Sequence, residues 1–218
     1  MHLQEFILND IKPLNIHDKV SDLKMMFNEL TYSHVPIEND GVYLGCISEN
    51  DAYCFEGEKT IIDCNYALEG FFVRLSTTWL DILEEFAQNS CNIMPVLGEQ
   101  NEYLGYYELN DIIGLFNETP FFAEPGGILI VEKGALDYSF SEISQIVETN
   151  DAKILGAFIS KIDNDIVQIT LKIGASGMND VIQTFRRYSY NIVSGHEEDS
   201  YLESLKERSE YLKKYLDI

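Results

Sequence analysis

The residues best suited to chemistry in this chain lie in two similar segments, Gly45-Cys46-Ile47-Ser48-Glu49-Asn50-Asp51 and Gly105-Tyr106-Tyr107-Glu108-Leu109-Asn110-Asp111. A glycine near the end of a strand allows a tight bend and lets a ligand approach bare backbone. A helix that follows presents unpaired N–H groups and the positive end of its dipole. That combination favours an anion. Ser48 offers a hydroxyl donor to a phosphate, and Asp51, one turn on, can accept two hydrogen bonds from vicinal ribose hydroxyls. The same Ser48-x-x-Asp51 spacing is also an acidic variant of the capping box, in which the hydroxyl satisfies an early helix N–H. Both readings stand at the level of sequence. In the second segment Glu108 replaces the serine, and an ionised carboxylate offers no donor and repels a phosphate. The expected phosphate site is therefore Gly45, Ser48 and Asp51, with Asp111 left to hold a ribose or a less charged ligand. Lys12 and Arg74, near strand beginnings, are candidate counter-charges, the plain alternative being exposed rim charges. Ile37, Cys46, Val96 and Tyr106 flank the two turns and are candidates to line an apolar slot for a base, or simply to fill the core.

The elements that must position these residues repeat along the chain. His34-Val35-Pro36-Ile37 matches Ile93-Met94-Pro95-Val96 at an offset of 59 residues, and the same offset places Val20, Leu23 and Phe27 on Trp79, Ile82 and Phe86. Each apolar trio has the 3-then-4 spacing of one helical face. Asn39-Asp40-Gly41 predicts a hairpin turn, and Glu99-Gln100-Asn101-Glu102 predicts its counterpart with one extra residue, after which the offset is 60. Each copy reads strand, helix, strand, hairpin, strand, helix.

An apolar helix, an h-x-P-h strand and a closing G-h-x-[ST]-x-x-D turn, found twice in register over about residues 7 to 118 with Glu108 at the [ST] position of the second copy, resemble the CBS domain family. Here those elements are Val35-Pro36-Ile37 with Gly45 to Asp51, and Met94-Pro95-Val96 with Gly105 to Asp111. The resemblance implies a pseudo-twofold pair, the Bateman module, which dimerises through its helices and offers two clefts between its sheets. It further implies that Ser48 and Asp51 carry the phosphate and ribose roles, and that the ligand is AMP, ADP, ATP or another adenosyl compound.

Beyond Asn117-Glu118-Thr119-Pro120, the stretch Glu124-Pro125-Gly126-Gly127 predicts a turn and a domain boundary. The pattern that follows is strand, helix, strand, strand, helix, strand. Phe140, Ile143, Ile146 and Val147 form one helical stripe, and Met178, Val181, Ile182 and Phe185 form the other. Asp163-Asn164-Asp165 joins two long strands, and the second alternates Val167, Ile169, Leu171 and Ile173 with Gln168, Thr170 and Lys172. One sheet face is thus expected under helices and the other polar. The βαββαβ order is ferredoxin-like, and this half resembles the ACT family, as in bacterial acetoin-utilisation-type proteins that join a CBS pair to an ACT domain. ACT domains often bind amino acids at a glycine-bearing loop before the first helix. Asp137-Tyr138-Ser139 stands there instead, so a pairing or docking surface is the expected role. The fold class is α+β: CBS repeats of βαββα type over 1–65 and 66–122, an ACT-like domain over 123–194, and a C-terminal helical tail over 195–218, opened by Ser200-x-x-Glu203.

Composition excludes several functions. With 15 Lys and Arg against 37 Asp and Glu, the formal charge is −22, which disfavours nucleic acid and anionic membrane surfaces. No apolar run is long enough to cross a bilayer and no leader precedes the first element, so a cytoplasmic location is expected. Cys46, Cys54, Cys64 and Cys91 lack metal-ligand spacing and read as buried free thiols, and the four histidines are scattered. Common catalytic motifs are absent; Gly174-Ala175-Ser176-Gly177 lacks the glycine spacing of a nucleophile elbow, and Ser194-Gly195-His196 has no triad geometry in sequence. The expectation is a non-catalytic homodimeric sensor that binds a small ligand and signals to a protein target in trans, the alternative being a scaffold with vestigial clefts.

Overall fold

In the computed structural model, residues 3–175 and 177–194 are described. Val20, Leu23 and Phe27 fall on one face of helix α1 (Val20–Glu29), and all three are buried. That face covers a three-stranded sheet of β1 (Leu14–Asn15), β2 (His34–Asn39) and β3 (Val42–Ser48), in the order β1-β2-β3, with β1 parallel and β3 antiparallel to β2. Asp40 and Gly41, at φ 50° and 82°, form the two-residue turn between β2 and β3, a left-handed pair that Asp-Gly adopts readily. Helix α2 (Glu49–Cys54) closes the first repeat. The second repeat has the same plan: β4 (Val73–Arg74), α3 (Trp79–Asn89), β5 (Ile93–Leu97), β6 (Tyr103–Glu108) and α4 (Leu109–Gly114). Its sheet order is β4-β5-β6.

The repeats touch through equivalent residues. The Ser33 N–H donates to Asn92 Oδ1 at 2.8 Å, and the Asn92 N–H donates to Ser33 Oγ at 3.0 Å. Val42 likewise bridges Glu102. Contacts between a residue and its own counterpart define a pseudo-twofold axis. About that axis the two leading arms cross. Leu8, ahead of the first repeat, exchanges backbone hydrogen bonds with Tyr106 of the second at 2.9 and 2.8 Å, while Glu69, ahead of the second, exchanges two with Cys46 of the first at 2.8 Å. The arms explain both turn glycines. Gly45 (φ +151°) faces Ile37 across the ladder, and a Cβ there would lie 2.9 Å from the Glu69 carbonyl oxygen. Gly105 (φ +148°) would meet the Leu8 carbonyl oxygen more closely still. Residues Met1–Phe116 form one compact unit.

The second unit spans Asn117–Ile218. Strands β7 (Gly126–Gly134), β8 (Ile154–Asp163), β9 (Ile166–Gly174) and β10 (Asn191–Ser194) form an antiparallel sheet in the order β10-β7-β9-β8, the ferredoxin-like arrangement. Helices α6 (Phe140–Glu148) and α7 (Met178–Arg187) bury Ile143, Ile146, Val147, Met178, Val181, Ile182 and Phe185 against Leu129, Val131, Ile169, Leu171 and Ile173. Each such side chain contributes about 1.5–3 kcal/mol on burial.

Four local expectations need correction. Gly126 and Gly127 open β7 instead of forming a turn, because Gly126 (φ +159°) packs on the Ile173 and Gly174 backbone. Phe140, at the first turn of α6, is exposed. The sheet face away from α6 and α7 is not uniformly polar: the short helix α5 (Pro120–Ala123) lays Phe121 on Gly156 and on Phe158, and Thr170 and Lys172 are buried. Cys54 is exposed, whereas Cys46, Cys64 and Cys91 are buried. The expected tail helix, with Ser200 and Glu203, and the residues Ser176 and His196 lie outside the described residues.

Candidate functional site: two unequal clefts

The two strand-to-helix turns are built alike, so their differences come from side chains. Register decides which side chains meet. β2 and β3 set His34 directly opposite Ser48, and β5 and β6 set Ile93 opposite Glu108. Directly opposed residues share a sheet face with Cβ atoms about 4.5–5.5 Å apart. The first cleft therefore joins an imidazole to a hydroxyl, and the second joins a sec-butyl side chain to a carboxylate.

In the first cleft Ser48 occupies the N-cap of α2. Its Oγ accepts from the Asp51 N–H at 3.2 Å and lies 3.0 Å from Asp51 Oδ2, to which it donates. This is the capping geometry that the Ser48-x-x-Asp51 spacing offered. Helix α2 has six residues, too few to supply the dipole that the sequence suggested. The stronger feature is His34, which is only 5% exposed. Its Nδ1 lies 2.8 Å from Ser33 Oγ, its Nε2 lies 3.4 Å from Glu69 Oε1, and its ring meets Phe71 edge-on with centroids 5.1 Å apart. Burial pulls the imidazole below its ordinary value, opposed by the Glu69 and Asp51 carboxylates, so the ring is neutral near pH 7.

The second cleft is filled by its own side chains. Tyr106 donates to Asp10 Oδ1 at 2.7 Å, Tyr32 donates to Glu108 Oε1, and the two phenol oxygens lie 3.0 Å apart. The Tyr32 and Tyr106 rings meet edge-on with centroids 5.4 Å apart. Burial raises both phenols, and the carboxylates they bond raise them further. A cavity of about 180 Å³ remains beside Thr31, Tyr32, Asn92, Glu108, Leu109 and Asn110, smaller than the roughly 300 Å³ at which drug-sized ligand pockets begin. At the offsets of the repeat, Tyr32 corresponds to Cys91 and Tyr106 to Cys46. The first cleft has small side chains where the second has phenols.

The remaining sequence candidates are placed as follows. Ile37, Cys46, Val96 and Tyr106 are wholly buried. Burial pushes the Cys46 thiol up, and Tyr43 Oη lies 3.3 Å from its sulfur. Lys12 donates to Asn9 Oδ1 at 2.7 Å. Arg74 donates to the Gly98 carbonyl and to Asn101 Oδ1 of its own hairpin and stacks 5.1 Å over Phe72. Asp111 is half-buried in α4. The structure thus brings together Gly45, Ser48 and Asp51, and adds His34 and Glu69, which the sequence reading passed over. Comparing polar differences between the copies, His34 against Ile93 and Tyr32 against Cys91, was the signal that would have found them. Among the described residues no group of three or more His, Cys, Asp or Glu side chains is placed to hold a metal ion, and no helix is long and apolar enough to cross a membrane.

No known family profile and no curated protein matches the chain. Among solved structures, it is similar to a CBS domain pair/ACT domain protein from Thermotoga maritima, with TM-score 0.49 and 15% identity over 54% of this chain and 98% of that one. It is also similar to CBSX2 in complex with AMP, with TM-score 0.46 and 14% identity over 54% of this chain and 96% of that one. A third is the CBS domain of a bacterial CNNM/CorC family Mg2+ transporter in complex with ATP, with TM-score 0.43 and 17% identity over 52% and 84%. These structural neighbours are proteins with CBS domains.

Proposed function

We propose that this chain is a non-catalytic regulatory sensor of the CBS-pair kind, which binds an adenine nucleotide in the first cleft and passes the change to a protein target in trans. The observation that carries the reading is the cross-strand pair His34 and Ser48 beside Asp51, set against Ile93 and Glu108 in the second cleft. Ser48 offers a donor to a phosphate, His34 faces it across the two strands, and Asp51 offers acceptors to ribose hydroxyls. A base that reaches Gly45 has to shift the Leu68 side chain lying on it. Binding therefore favours a different arrangement of the two repeats, which is the differential affinity a switch requires. The ferredoxin-like unit, ACT-like in its order of elements, serves as a pairing surface, and the chain acts as a cytoplasmic homodimer, which light scattering after size exclusion would test.

Thermal-shift measurements with AMP, ADP, ATP, S-adenosylmethionine, NAD and amino acids test the ligand class. A ligand at 100 times its Kd adds about 2.7 kcal/mol, enough to raise the melting transition of the first unit by several degrees. Asp51→Ala should abolish the nucleotide shift, and Asp111→Ala should leave most of it. Equal losses would overturn the ranking of the clefts. A second reading, a scaffold with vestigial clefts, is favoured by the mutual bonding of Ser48 and Asp51 and by the phenols that fill the second cleft. Absence of a shift with every nucleotide would select it.

A further inference from the structure

His34 has more chemistry than a cap or a core contact needs. It is buried, and it contacts Ser33, the residue just before its strand, Glu69 and Phe71 from the crossing arm, and feels the Asp51 carboxylate from α2. Both charged groups that bear on it are carboxylates. Ser33 Oγ accepts the Asn92 N–H, so its own proton is free to point at Nδ1. The Glu69 carboxylate at Nε2 only accepts, so the neutral ring carries its proton on Nε2 and Nδ1 accepts from Ser33.

We propose that His34 is a proton-linked phosphate receptor, which takes up one proton from solvent as a phosphorylated ligand enters the first cleft, so that binding tightens as pH falls. This rests on the first cleft being the ligand site. The proton adds to Nδ1, and the Ser33 hydroxyl turns from donor to acceptor, for which it has the lone pairs. The ligand keeps all its bonds. Without ligand, burial outweighs Glu69 and Asp51 and holds the imidazole below its ordinary value of about 6.5. A phosphate opposite Ser48 adds negative charge to those two carboxylates and moves the ring above that value. Between the free and bound values affinity rises as pH falls, and below the free value it levels off. The position equivalent to His34 is Ile93, so the second cleft has no such linkage.

The test is calorimetric titration of the full chain with AMP and with adenosine at pH 6, 7 and 8, for the wild type and His34→Gln. The second ionisation of AMP, near pH 6, is common to both proteins and cancels in their affinity ratio. The expected result is a wild-type to variant ratio for AMP that grows about three- to tenfold from pH 8 to pH 6, tenfold per pH unit being the limit for one proton. The ratio for adenosine should stay flat. A flat ratio for AMP overturns the proposal while leaving the cleft intact. Failure of AMP to bind at any pH overturns the first-cleft reading and this inference with it. Should His34→Gln not fold, wild-type titrations with adenosine 5′-sulfate, whose charge is fixed, in buffers of different protonation enthalpy decide the matter. Uptake near one proton supports the linkage, and none refutes it.

Discussion

Tyr32 shows how one side chain separates two clefts that share a backbone. Its hydroxyl donates to Glu108, and its ring lies edge-on to Tyr106. Tyr32→Phe keeps the ring and leaves a half-buried carboxylate short of a donor, which should cost about 1–2 kcal/mol. The check is a urea denaturation curve, with Tyr53→Phe, an exposed phenol that bonds Asn28, as the near-neutral comparison. At this scale the sequence was informative wherever a residue type alone limits its chemistry. Glu108 could be excluded as a phosphate donor without coordinates, because no ionised carboxylate donates. Ser48 and Asp51 were legible as a pair, although spacing alone left capping and ligand binding open. His34 was legible as the first residue of a repeated strand but not as part of a site, since its partners Ser48 and Glu69 lie 14 and 35 positions away and only strand register and the crossing arm bring them together.

Among the elements, strand endings carry the most specific sequence constraint. Gly105 and Gly41 both have positive φ, but an added Cβ at Gly105 runs into the Leu8 backbone, whereas at Gly41 it meets nothing within 4 Å. Gly41→Ala should therefore cost about 1 kcal/mol for the dihedral alone, and Gly105→Ala about 2–3 kcal/mol. Comparing the two variants in chemical unfolding separates backbone conformation from the arm contact. The regular elements were readable because burial imposes a period: Val20, Leu23 and Phe27 on α1, and alternate residues of β9. Helix α5 was not readable. Four residues, Pro120–Ala123, are too few to show a period, and nothing local indicates that Phe121 will cover Gly156. Gly126 misled for a related reason, because a glycine required by close packing in a strand looks the same in sequence as one required by a turn.

For the whole molecule, a formal charge of −22 means that folding gathers like charges. Ion pairs among the described residues include Lys133 with Glu142 at 2.6 Å and Lys19 with Glu58 at 3.2 Å. Raising sodium chloride from about 10 to 300 mM shortens the Debye length from about 30 Å to under 8 Å. The melting temperature should rise with it, by a few degrees; a fall would mean that attractive pairs outweigh the repulsion. The repeat was legible at this scale because the offset between the copies changes only once, from 59 to 60 at the hairpin. The pseudo-axis was not, since Ser33 and Asn92 meet only once both repeats are folded. The crossing arms make each repeat depend on the other. Half of the pair, cut between Leu68 and Glu69, lacks the arm that closes its own final strand and retains one cut for its neighbour. Two such halves made as separate polypeptides should therefore complete each other by trading arms, and neither should fold well alone.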